Sequence, residues 1–215
     1  MILNRDMHDL EDKFIDMQKT IMPEIAIEVG AHEATFSSSV SASLGIQSFA
    51  FEAFPLTFKK YSKVFAKNKY VNYLNYAVSD YNGEAKFLAY DNSQDALANG
   101  IKQRVGGVRE WDRGDVVEYK VPATTLDSFF QDHRFASASL WIDVEGASRE
   151  VLLGATELIK KAYSVFIETE DLELWEDQWK TGDVINFMNS SGFRILDIET
   201  VYQHQSNIIF IRRDS

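Results

Sequence analysis

The sequence predicts a doubly wound α/β fold, a mostly parallel sheet with helices on both faces. Three observations point to it. Short apolar runs of strand length alternate along the chain with stretches whose apolar residues fall at helical spacing. The first run stops at Gly30, as a strand does before a tight turn into a helix. Acidic residues stand at or beside the ends of the first, second, fourth and fifth runs, where an open parallel sheet binds its ligands.

Taken in order, residues 6–20 place Leu10, Phe14 and Met17 on one helical face. Residues 25–29 form a short buried strand. Residues 34–44 form a serine-rich helix bounded by Gly45, and residues 47–51 a second strand. Pro55 opens a helix over 56–65, since its fixed φ suits a first helical turn. A third strand covers 71–78, and Asn82-Gly83 is a turn signal that makes 85–90 the return strand of a hairpin. Residues 91–118, polar and glycine-bearing, read as a loop or insertion on the substrate side. A short helix at 125–131, a strand at 140–144, a helix at 148–160 and a strand at 164–168 follow. Trp175 and Trp179, one turn apart, would share a helix face, as core residues or as a platform for a sugar. A helix at 182–189 precedes closing strands at 193–199 and 207–212.

The bulk composition narrows the function. A chain of 215 residues with 45% hydrophobic and 26% charged residues suits one large domain spanning 1–215. No apolar run approaches the roughly 20 residues of a membrane span. The first residues are charged without a signal-peptide core, so the expected location is the cytoplasm. No cysteine is present, which excludes disulfides, thiolate metal sites and a cysteine nucleophile. With 33 acidic against 22 basic residues the net charge is −11, and such a field opposes long nucleic acids.

Ile27-Glu28-Val29-Gly30-Ala31-His32-Glu33-Ala34-Thr35 has the layout of a nucleotide-binding strand, turn and helix. A dinucleotide fingerprint needs further glycines where His32 and Thr35 stand, and Glu33 would repel a diphosphate. That argues against NAD and FAD. S-adenosylmethionine carries no phosphate and has a cationic sulfur and an ammonium, so a one-glycine turn at Gly30, Ala31 and His32 with acidic neighbours suits it. An ordinary tight turn would carry the same glycine. Glu52, followed by Ala53, stands at the end of the second strand, about 20 residues downstream of the first, where an acid accepts hydrogen bonds from ribose hydroxyls. It could equally cap the next helix. Asp143 and Glu145 end the fourth strand, where an acidic pair could orient or deprotonate a hydroxyl beside the methyl donor, or cap the helix that follows.

Five segments together resemble the FkbM-type methyltransferases. They are Ile27-Glu28-Val29-Gly30-Ala31; Phe49-Ala50-Phe51-Glu52; Tyr76-Ala77-Val78-Ser79-Asp80 with Asn82-Gly83; Thr124-Thr125-Leu126-Asp127; and Ile142-Asp143-Val144-Glu145-Gly146-Ala147 with Glu150-Val151-Leu152 and Gly154-Ala155. They run in the family's order over roughly residues 25–210. The resemblance implies a class I methyltransferase fold, Rossmann-like, with a seven-stranded sheet whose last strand is antiparallel. It implies O-methylation of a sugar, nucleotide-sugar or other small-molecule hydroxyl with S-adenosylmethionine as cofactor. By the same resemblance Glu28, Gly30 and Glu52 line the cofactor site, Ser79 or Asp80 lies near the adenine, and Asp143 and Glu145 face the transferred methyl. Two positions depart from the family: His32 replaces a usual asparagine and Ala34 a usual glycine, whose added methyl could crowd the cofactor.

Glu168 and Glu170 at the fifth strand, with Arg104 and Arg109 in the 91–118 loop, are candidate substrate contacts. Together with Lys102 and Arg113, those arginines could hold a phosphorylated or nucleotide-linked sugar, or belong to a solvated loop of mixed charge. His133 and His204 have no ligand partner at metal-binding spacing, so no metal is expected. Methylation of DNA bases is disfavoured: carbon-5 chemistry needs a cysteine, and the three prolines are too isolated for the amino-methylase loop. The competing class is a non-catalytic binding protein that keeps the fold.

Overall fold

The computed structural model describes residues 9–90, 99–105 and 116–213. Helix α1 (Asp9–Ile21) leads into β1 (Ile25–Val29), α2 (Thr35–Leu44), β2 (Gln47–Phe51), α3 (Pro55–Phe65) and β3 (Val71–Leu74). Then come β4 (Ala77–Val78), β5 (Gly83–Tyr90), β6 (Val116–Thr124), α4 (Leu126–Phe130), β7 (Ala138–Ile142) and α5 (Ser148–Leu153). A 3₁₀ turn (Leu158–Lys161), β8 (Ala162–Glu170), α6 (Thr181–Ser190), β9 (Phe193–Tyr202) and β10 (Gln205–Arg212) complete the chain.

The main sheet has seven strands in the order β3-β2-β1-β7-β8-β10-β9. β1 pairs in parallel with both β2 and β7, and β10, the last strand, is antiparallel to β8. The order reverses between β1 and β7, so a crevice opens beyond their carboxyl ends. β1 and β7 are buried at every position, as strands covered on both faces must be. One face packs Leu126, Leu140, Ile142 and Val151 into the larger core. The other seats Phe14 of α1 against Phe36, Trp141 and Phe166 at ring-centroid distances of 5.4–6.0 Å. Phe14 is fully buried, so its truncation would cost about 3–5 kcal/mol.

Five expectations are corrected. Residues 71–78 do not form one strand. The chain breaks at Asn75, whose side-chain amide donates to the Glu52 and Ala53 carbonyls at 2.8 and 3.1 Å. β4 thereby enters a second, three-stranded sheet of order β4-β6-β5. β5 accordingly pairs with β6 and makes no hairpin with the third strand. β6 itself runs into the stretch read as loop; its Pro122 lacks an N–H, and β4 pairs only with the Ala123 and Thr124 beyond it.

The helix expected over 148–160 is split at Gly154, where an added Cβ would lie 2.1 Å from the Ser79 carbonyl oxygen. Asp127 then caps the 3₁₀ turn, accepting from the Leu158 N–H at 2.8 Å. The two tryptophans share no helix. Gln178 Oε1 accepts the Leu174 and Trp175 N–H groups, and Asp177 takes a left-handed φ of 55°, so the segment turns.

Candidate active site

The site is built on the β1 turn. Gly30 has φ 79°, and a Cβ there would fall 1.7 Å from the Asp143 carbonyl oxygen. Only glycine lets β7 pass so close. The N–H groups of Gly30 and Ala31 donate to the Phe51 carbonyl, and that of Asp143 to the Val29 carbonyl, which ties the three strand ends together. His32 and Ala34 also take left-handed φ values, 43° and 58°, and this conformation explains why a glycine suits position 34.

Glu28 does not line the cleft. Its carboxylate accepts the N–H groups of Phe36 at 3.3 Å and Ser37 at 2.8 Å, within the first turn of α2. The N-cap residue, Ala34, has no side-chain oxygen, so the acid of the preceding strand supplies the cap. Burial raises its pKa to about 7. Ala31 and Ala34 are likewise buried, packed with Ala50 and Val71, and Ala34 stands outside the cleft lining.

Glu52 does reach the cleft, although it is 93% buried. Its Oε2 accepts the His32 N–H at 2.8 Å and its Oε1 the Phe54 N–H at 2.7 Å. Burial lifts its pKa to about 7. Each carboxylate oxygen has two lone pairs, so both retain an acceptor site for a ligand hydroxyl.

The cleft encloses about 130 Å³ and is partly open to solvent. Gly30, His32, Glu52, Ala53, Asp143 and Glu145 contribute to its walls. Ser79 and Asp80 do not: Ser79 is fully buried and its N–H donates to the Thr124 carbonyl. The residues just before them, Tyr76, Ala77 and Val78, line the cleft with Phe87 and form an apolar wall. The sequence pattern places that stretch in a strand alone, although the resembling segment contains it. Asn99, Gly100 and Ile101 line it too, and Gly100 is anchored by backbone bonds to Leu88 in both directions.

Asp143 and Glu145 are held well above the ordinary carboxylate range. Burial is the main cause for both, and Glu168 adds repulsion to each. Arg104 acts on Glu145 in the opposite sense. One carboxylate oxygen from each of Glu145, Glu168 and Glu170 lies within 4.8 Å of the other two, a grouping hidden from sequence spacing. Lys102 is committed to structure: it pairs with Glu150 at 3.0 Å and donates to the Glu176 and Asp177 carbonyls. Arg104 forms an isolated backbone bridge with Trp175, and Arg109 and Arg113 lie outside the described residues.

Comparison with known proteins agrees with this architecture. Residues 28–195 match the methyltransferase FkbM domain. A 2-O-methyltransferase, NoeI, from Sinorhizobium fredii is 30% identical over 121 residues, 53% of this chain and 49% of the relative. The chain thus spans about half the length of that curated relative. Among solved structures, the N-terminal domain of EvdMO1 with SAH bound superimposes with a TM-score of 0.52, at 11% identity over 98% of this chain and 82% of that one. A precorrin-6y C5,15-methyltransferase from Geobacter metallireducens gives 0.51, at 9% identity over 98% and 92%. Those likenesses establish the class I methyltransferase fold. The chain belongs to the FkbM methyltransferase domain family.

Proposed function

We propose that this chain transfers a methyl group from S-adenosylmethionine to a hydroxyl of a sugar, nucleotide-sugar or other small molecule. The observation that carries the reading is the pair Asp143 and Glu145 on the wall of the same cleft as Glu52. Bound there, the cofactor supplies an electrophilic methyl on a cationic sulfur. Glu52 would accept from the ribose hydroxyls with its remaining lone pairs, and the apolar wall at Tyr76, Ala77, Val78 and Phe87 would receive the adenine.

Asp143 would take the acceptor's proton as the C–O bond forms and the C–S bond breaks. A carboxylate with a raised pKa is a better base near neutral pH than an ordinary one. Glu145, Glu168 and Glu170, with Arg104 and Arg109, would position the acceptor. The 2-O-methyltransferase relative supports an oxygen acceptor. A net charge of −11 favours a small one over a long nucleic acid. Of the two departures that favour the non-catalytic reading, Ala34 stands outside the cleft and His32 lines it.

The test is incorporation of labelled methyl from S-adenosylmethionine into sugar and nucleotide-sugar pools. A methylated oxygen is expected. Label found only on nitrogen or carbon, or none in any pool despite tight cofactor binding, would overturn the proposal.

A further inference from the structure

Among the described residues, the lining of the cleft sets three acids, Glu52, Asp143 and Glu145, against one basic side chain, His32. S-adenosylmethionine brings two cationic groups, its sulfonium and its ammonium, and one anion, its carboxylate. The acids suit the first two and repel the third. The β1 turn has one other place for an anion, the first turn of α2, and it is taken. Glu28 accepts the N–H groups of Phe36 and Ser37 there, at 3.3 and 2.8 Å. The protein's own carboxylate thus fills the position that a helix N-terminus offers to a ligand anion.

His32 is held where it can meet the carboxylate instead. Its N–H donates to Glu52 Oε2 at 2.8 Å, and its carbonyl accepts from the Tyr73 hydroxyl. These two clamps fix a left-handed φ of 43°, which a residue with a side chain adopts only where its surroundings enforce it. The ring stands edge-on to Tyr61 of α3, with centroids 5.5 Å apart and planes at 61°. Neither ring nitrogen has a hydrogen-bond partner among the described residues. An imidazole keeps at least one N–H in either protonation state, so the cleft wall carries a free donor.

We propose that the His32 imidazole binds the carboxylate of the methionine part of S-adenosylmethionine, and so selects the whole cofactor over adenosyl ligands that lack this group. The assignment deepens the cofactor reading of the cleft and rests on it. Glu52 takes the ribose hydroxyls in that reading, so its bond to the His32 N–H would set the spacing between ribose and carboxylate. An anionic group on the acceptor offers His32 the same chemistry, and the first measurement therefore omits the acceptor.

Calorimetry on the full chain compares S-adenosylhomocysteine with its decarboxylated analogue, which keeps the adenosine, the sulfur and the ammonium. The parent should bind S-adenosylhomocysteine at least about 10-fold more tightly, as a hydrogen bond to a charged group implies. His32→Ala should lose that preference, with S-adenosylhomocysteine about 10-fold weaker and the analogue within about twofold. His32→Gly relieves the left-handed φ and should give the same pattern if the alanine variant fails to fold. His32→Asn keeps an N–H donor and should recover part of the loss. In the parent, S-adenosylhomocysteine should shift the His32 ring-nitrogen resonances more than the analogue does, a readout independent of any variant. Equal weakening of both ligands, or of neither, overturns the assignment and leaves the cofactor site standing. So does a His32→Ala chain with parental cofactor affinity and a raised acceptor KM, which would give His32 to an acceptor anion. A parent that binds neither S-adenosylhomocysteine nor S-adenosylmethionine overturns the methyl-transfer reading and this assignment with it.

Discussion

The backbone N–H of His32 donates to Glu52 Oε2 at 2.8 Å, so the acid closing β2 also sets the turn after β1. The other oxygen holds Phe54, the N-cap residue of α3. One side chain thus fixes both loops that flank the cofactor side of the cleft.

Replacement of Glu52 should therefore report on both binding and stability. In Glu52→Ala the two N–H groups lose their acceptor, and an unsatisfied buried donor costs about 1–3 kcal/mol. A drop in chemical-denaturation stability of at least that size is expected. Glu52→Gln keeps one acceptor oxygen and should lose less stability, yet weaken S-adenosylhomocysteine by about 10-fold or more, because bonds to a charged acceptor are worth about 1.5–3 kcal/mol. Calorimetric affinity unchanged in Glu52→Gln would confine the residue to a structural part.

Two glycines with similar φ should behave differently. Gly30 has φ 79° and the Asp143 carbonyl against it; Gly45 has φ 69° and nothing within 4 Å. Gly45→Ala should cost only the left-handed penalty, about 1–2 kcal/mol. Gly30→Ala must also push β7 away from β1, and should cost more than about 3 kcal/mol or prevent folding. Equal denaturation midpoints for the two variants would contradict the close approach seen at Gly30.

Much of this arrangement was legible from local pattern. The boundaries of β1 and β2 follow from apolar runs closed by Gly30 and Glu52, and α3 starts at Pro55 as its fixed φ requires. What local pattern missed was set by distant partners. β6 carries a proline and exposes Val116 and Val117, so it does not read as an interior strand until β4 and β5 flank it. Trp175 and Trp179 have helical spacing, but Gln178 turns the segment instead. Glu28 could be read as a ligand-facing acid because its real task, capping α2, arises from what Ala34 lacks. The Glu145, Glu168 and Glu170 grouping joins two strands and is invisible to spacing.

Glu28 also carries a pH dependence. Its pKa of about 7 in the folded chain exceeds the ordinary 4.5, so between those values the folded state holds a proton that the unfolded state has lost. Folding stability from this group is then full below about 4.5 and falls as pH rises towards 7, by roughly 1–3 kcal/mol. Glu52 contributes in the same direction over the same window. Glu28→Gln should flatten the stability profile between pH 5 and 7 in urea titrations relative to the parent, even if the weaker cap lowers it throughout. A parent profile that rises across that window would contradict a raised pKa at these sites.

Asp143 separates an enzyme from a binding module. It lines the cleft, and its pKa is raised by burial and by Glu168, Glu11 and Glu52, so charging it in the folded state is unfavourable. Asp143→Asn keeps the size and a hydrogen-bonding group and removes the charge. That removal also relieves repulsion, so the variant should be at least as stable as the parent at pH 8, and lost activity could not be blamed on unfolding. Cofactor affinity should stay within a few-fold, since Glu52 and the β1 turn carry that binding. Turnover, read as single-turnover methyl transfer to an identified acceptor, should fall by about 10²–10⁴-fold, the usual worth of a general base. Activity close to the parent's would remove Asp143 from the proton transfer and move the role to Glu145, Glu168 or His32.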